Sequence, residues 1–143
     1  MSEQDKDIVR RLIEDHWNGR EGALVGELFH SSVSLQTPDG VLSGLEGASN
    51  LLNAYATAFP DFRLAVHEMI SEGDKVVVRY TFTGTHQGPL AGIPATGKRA
   101  SVPNGALIFR LAAGKVIEGH FVWDKYALLQ QLGVLASAAP SGV

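Results

Sequence analysis

An α+β fold with an antiparallel sheet is what this chain predicts, and three observations predict it. Apolar residues recur at helical spacing through roughly the first sixty positions. From "RLAVHEMI" to "KVIEGHFVW" the period is two, and in "KYALLQQL" it is helical again. Helices first, then neighbouring strands, then a closing helix is an α+β order, and 143 residues suffice for one domain with one core.

The elements follow in chain order. "DKDIVRRLIEDHWNGR" carries Ile8, Val9, Leu12, Ile13 and Trp17 on one face, with His16 at its edge. Ser2 and Asp5 have the spacing of a capping box, and Gly19 is a helix stop. "GALVGELF" is a shorter helix with Leu24, Val25 and Leu28 inward. "SVSLQT" alternates as a strand and ends at the turn "PDG". "LEGASNLLNAYATAF" is helical through Ala48, Leu51, Leu52, Tyr55 and Phe59, and Pro60 ends it. Then come the strands "RLAVHEMI" and "KVVVRYTFTGTH", a loop "QGPLAGIPATGK" rich in Gly and Pro, and the strands "RASVPNGALIFRL" and "KVIEGHFVW". The last helix is expected at about 125–132, with Gly133 beyond its end. Residues 1–133 make the expected domain and 134–143 a disordered tail. Long twisted and bulged strands curl, so helices on the concave face leave a cup lined by alternate strand residues.

Composition narrows the function classes. Net charge is −3 and the basic residues are scattered, which argues against nucleic acid as a partner. No apolar run approaches the roughly 20 residues of a membrane span, and the polar N-terminus is no signal peptide. The absence of cysteine excludes disulfides and thiolate chemistry and agrees with a cytoplasmic location. The five histidines show no metal-ligand spacing, so neither metal nor cofactor is expected.

"FPDFR", "EGDKVVVRYTFTGTHQGPLAGIPATGK" and "GKVIEGHFVWDKYALLQQLG" resemble the SnoaL-like polyketide cyclase family, within the nuclear transport factor 2 group. The resemblance runs from the first helix to Gly133. It implies a conical α+β barrel around an apolar cavity, a small, mostly apolar, aromatic polyketide-type ligand, and a homodimer. It also implies cofactor-free ring closure with an Asp as acid/base, in a pocket that holds the reacting ends together. The positions of that Asp and its companion His, counted from Gly114, hold Phe121 and Gly119 here. Positions that carry a Gln and a His on the preceding strand hold Gly105 and Leu107. The chain therefore resembles a member without the cyclase acid/base set, as in relatives linked to hydroxylation.

The candidate residues follow from these two readings. Asp124 stands before the last helix, either as its cap or as a relocated acid/base. His16 and His86 are the other catalytic candidates, each with a structural reading as a satisfied core or turn histidine. Tyr55, Phe59, Tyr80, Phe82, Leu107, Phe121 and Trp123 are the candidate ligand-binding residues, since their faces suit a flat ligand as well as a core. On the last strand Phe121 and Trp123 share the cavity side, while His120 shares the outer side, where the resemblance implies a dimer surface. Besides a tailoring enzyme, a non-catalytic binder of an apolar metabolite and a dimeric interaction module remain open.

Overall fold

A computed structural model describes residues 2–135 of the chain. The Ser2 side chain, with the capping box expected of it, and the expected tail from residue 136 lie outside the described residues.

The first helix, α1 (Ser2–Arg11), has Glu3 and Asp5 in its first turn and Arg10 and Arg11 in its last, which complements the helix dipole. It continues as a π-helix over Leu12–Asn18, a widening that the apolar spacing did not reveal. Leu12, Ile13, His16 and Trp17 all turn inward there. Gly19 ends it, because a Cβ at that position would lie 2.6 Å from the Asp15 carbonyl. Arg20 then fastens the segment: its guanidinium donates to the carbonyls of Trp17, Asn18, Pro60 and Phe62 and lies 3.6 Å from the centre of the Phe62 ring.

A 3₁₀ turn and a short helix, α2 (Val25–Leu28), lead into β1 (Phe29–Thr37). A four-residue strand, β2 (Gly40–Ser43), follows the "PDG" turn; it is too short for periodicity to show. Helix α3 (Gly44–Ala58) ends with Phe59 at its C-cap, just before Pro60. The remaining strands are β3 (Arg63–Glu72), β4 (Lys75–Thr85), β5 (Arg99–Ala112) and β6 (Lys115–Val122), and α4 (Lys125–Gln131) closes the fold.

The six strands form one sheet in the order β2-β1-β6-β5-β4-β3. One pairing departs from the antiparallel expectation: β1 and β6 run parallel, with Leu35 opposite Gly119. Alternation in a sequence carries no direction, and strands this far apart can pair in either sense. The sheet is curved but does not close, since β2 and β3 are its edges. Register shifts fall in β3 near His67, between Tyr80/Phe82 and their β5 partners, and near Arg110, where they add twist and bend. The β3 edge is covered by Asn18, whose amide donates to the Leu64 carbonyl (3.0 Å) and accepts from its N–H (2.8 Å).

Phe29, Phe59 and Phe109 are fully buried between helices and sheet. Each stabilises the fold by about 2–3 kcal/mol through removal from water. The Gly/Pro-rich loop docks on the end of α3, where Gln87 and Gly88 N–H groups donate to the Ala58 carbonyl. Helix α4 is held to β5 by the Gln131 amide, paired in both directions with the Ser101 backbone. Helices and curved sheet thus meet along one side and stand apart along the other, where a cavity opens.

Candidate functional site

The cavity has a volume of about 450 Å³. Strand alternation builds its sheet wall: Tyr80 and Phe82 are two apart on β4, and Phe121 on β6 is two before Trp123, just past the strand's end. Leu51, Leu52 and Tyr55, at helical spacing on α3, form the opposite wall with Trp17. Leu90 and Ala91 from the Gly/Pro-rich loop and Leu128 from α4 complete it. The rings brace one another: Trp17 and Phe121 have centroids 5.5 Å apart, and Phe82 meets Tyr55 edge-on at 6.2 Å. A shallower groove of about 300 Å³ shares Thr37, Phe121 and Trp123 with it and is also lined by His120.

Few polar groups reach the lining. They are Thr37, Asp39, Asn50 and the hydroxyls of Tyr55 and Tyr80. Asp39 is the one carboxylate on the lining among the described residues. Its backbone N–H donates to Thr37 Oγ1 (3.1 Å), which in turn donates to the Gly40 carbonyl (2.9 Å), so the turn fixes its position. Its carboxylate forms an ion pair with Lys125 at the start of α4. Sequence reasoning missed Asp39 because "PDG" reads first as turn chemistry. Burial pushes the Tyr55 phenol well above its ordinary pKa, and the negative charge of Asp39 adds to the rise. Burial raises Tyr80 in the same way, with neighbouring Tyr55 adding to it. Both phenols are neutral hydrogen-bond donors at physiological pH.

The structure divides the sequence-predicted residues. Tyr55, Tyr80, Phe82, Phe121 and Trp123 meet on the lining. Phe59 and Leu107 do not: both are fully buried in the core, sealed from the cavity by the residues packed over them. Trp17, read from sequence on the apolar face of the first helix, and Phe62, which sequence reasoning missed, belong to the buried core and also border the cavity. Asp124 is exposed and off the lining, and its Oδ1 accepts from the Ala127 N–H at 2.9 Å, the geometry of a helix cap.

Neither catalytic candidate histidine reaches the cavity. His16 is fully buried against the edge of Phe29 and donates from Nδ1 to the Glu21 carbonyl at 2.9 Å. Its burial lowers its pKa, so the ring is neutral. His86 is fully buried beneath the loop, where Nδ1 accepts from the Thr96 N–H at 3.2 Å and lies 3.0 Å from Thr96 Oγ1. Each is hydrogen-bonded at Nδ1, and each Nε2 is unpartnered. His120 lies on the outer face, its Nε2 2.7 Å from Glu118, whose other oxygen accepts from Arg110. Those two partners hold the Glu118 carboxyl below its usual range, His120 contributing most.

Among the described residues no three His, Asp or Glu side chains gather as a metal site, and no helix is long and apolar enough to cross a membrane.

The SnoaL-like polyketide cyclase family model matches residues 7–132 of the chain. A candidate SnoaL-like polyketide cyclase from Jannaschia sp. CCS1 superposes with a TM-score of 0.86 at 26% identity, covering 98% of this chain and 95% of that one. AclR, a candidate hydroxylase from Streptomyces galilaeus, gives 0.82 at 28% identity over 94% and 99% of the two chains. IdmH, a candidate polyketide cyclase from Streptomyces antibioticus, gives 0.78 at 25% identity over 92% and 99%. No curated protein matches the chain.

Proposed function

Because the chain belongs to the SnoaL-like polyketide cyclase family, we propose that it takes a small, flat, mostly apolar molecule of aromatic polyketide type into the cavity and tailors it there. The observation that carries this reading is the ring-lined cavity itself. Seven aromatic side chains, Trp17, Tyr55, Phe62, Tyr80, Phe82, Phe121 and Trp123, surround about 450 Å³. That volume lies in the range of roughly 300–1,000 Å³ that suits a small organic ligand, and a few placed polar groups give it orientation.

The chemistry we assign is proton transfer by Asp39. A proton flanked by two carbonyls is acidic enough for a positioned carboxylate to remove. The resulting carbanion can attack a second carbonyl of the same folded molecule, and the proton returns to the new oxygen. Asp39 supplies the carboxylate that neither Asp124, spent on its helix, nor the sealed histidines provide. The likeness to AclR supports hydroxylation as the alternative tailoring reaction in the same cavity, with dioxygen as oxidant and two electrons from a separate reductant. Binding without catalysis is favoured by one fact: no histidine lies on the cavity lining, which leaves Asp39 alone.

We also infer a homodimer through the outer face of the sheet. Ile70, Val77 and Val122 are exposed there, at 57%, 37% and 54%. The Arg79–Glu68 pair and the Arg110–Glu118–His120 group flank them. An apolar stripe with a charged border suits a second copy of itself.

Native mass spectrometry of the purified protein tests the ligand. A retained flat, apolar molecule of a few rings is the expected result, and a polar or phosphorylated ligand would contradict the reading. With that molecule's precursor as substrate, Asp39→Asn should lower the rate on the order of 100-fold at unchanged stability. An unchanged rate would favour binding alone.

A further inference from the structure

Two hydroxyls on the cavity wall have no structural purpose within the fold. Tyr55 stands on α3 and Tyr80 on β4, and both line the cavity. Neither hydroxyl has a hydrogen-bond partner among the described residues, and the sealed side-chain polar atoms without partners there are confined to the two histidine Nε2 atoms. The phenol oxygens therefore open onto the cavity rather than into packed core. Their ring neighbours Phe59, Phe62 and Phe82 carry no hydroxyl that could pair with them.

Their rings are also held in fixed positions. Tyr55 stacks on Phe59 at 13° and 6.3 Å and meets the edge of Phe82. Tyr80 lies flat over the backbone of its β5 partner Gly105, where a Cβ would stand 2.4 Å from Cζ, the carbon that bears the hydroxyl. Any other residue at 105 would displace that ring. The register slip just beyond, with Asn104 at φ +65°, sets Gly105 opposite Tyr80. A mid-strand glycine and a bulge thus hold one donor, and a pair of phenylalanines holds the other. Positioned donors on two walls of one apolar cavity are preorganised for an acceptor that reaches them.

We propose that the hydroxyls of Tyr55 and Tyr80 form a two-donor seat for ketone or phenol oxygen, so that the ligand is a flat apolar body carrying such oxygen. This rests on the cavity being the ligand site. Because burial keeps both phenols neutral, they donate hydrogen bonds and carry no charge, which selects against carboxylates and phosphates.

The test compares 9-fluorenone with fluorene, matched tricyclic probes that differ in one carbonyl oxygen, on wild type, Tyr55→Phe and Tyr80→Phe. Wild type should bind fluorenone more tightly than fluorene. Each Phe variant should weaken fluorenone about fivefold, the ratio that follows from one net hydrogen bond, and leave fluorene unchanged. The infrared carbonyl stretch of bound fluorenone should move to lower frequency than in hexane, and it reads the seat in wild type even if a variant fails to fold. Equal affinity for both probes with an unshifted stretch would overturn the seat and leave the cavity as an apolar site. Binding of neither probe would overturn the cavity reading, and the seat with it.

Discussion

Asp124 stands at the cap position of α4. Its bond to the Ala127 N–H offsets an unpaired donor at the start of α4. Asp124→Ala should lower stability by about 1 kcal/mol, while Asp124→Asn, which caps nearly as well, should cost little. Denaturant midpoints check both, and turnover should survive in each folded variant. A folded Asp124→Asn protein that has lost activity would return the acid/base role to this residue. His16 makes a second prediction. Its folded pKa is lowered, so below about 6.5 the unfolded chain binds a proton that the folded chain refuses. The stability that neutral His16 allows is present above about pH 6.5 and is lost as pH falls from there toward its lowered folded pKa. Thermal melting of wild type should therefore drop between pH 7.5 and 5.5, and His16→Gln should show a smaller drop over that interval. Equal drops would remove His16 from the account. At this scale the cap was legible, since an Asp before a helical period has one common use. Asp39 was hidden because its neighbours Pro38 and Gly40 explain it as a turn, and only the folded chain brings that turn to the cavity.

Among the elements, the β4–β5 pair matters most, because Gly105 seats Tyr80 and the adjoining bulge bends the sheet. Gly105→Ala should cost roughly 1–3 kcal/mol from overpacking and should weaken binding of a flat aromatic probe. Chemical denaturation and titration of the same samples check this, and an unperturbed variant would mean the Tyr80 ring is free to move. Four long strands were legible from their alternation, as was α3 from Ala48, Leu51, Leu52, Tyr55 and Phe59. The parallel pairing of β1 with β6 was not, because direction is decided by connections that no local period records. The π-helical turn at Leu12–Asn18 was also missed, since it keeps an apolar face while shifting the residues on it. Trp17, on the apolar face legible in the sequence, is buried in the core and also lines the cavity.

For the whole molecule, the open curved sheet leaves two faces, an outer one and a concave one. Its outer face predicts a dimer, and Val122→Glu should convert the protein to monomer in sedimentation velocity without unfolding it. A monomeric wild type at high concentration would reject that interface. Its concave face, closed by helices on one side, leaves the cavity on which the account centres. The chain has two tryptophans, Trp17 and Trp123, and both line that cavity, so all indole emission reports from it. The most direct test is therefore a fluorescence titration with emodin, a planar tricyclic polyketide. Saturable quenching at one emodin per chain, retained through Trp17 in Trp123→Phe but at weaker affinity, is the predicted result. Quenching that rises linearly without saturation, as for free indole in buffer, would contradict the cavity as a ligand site.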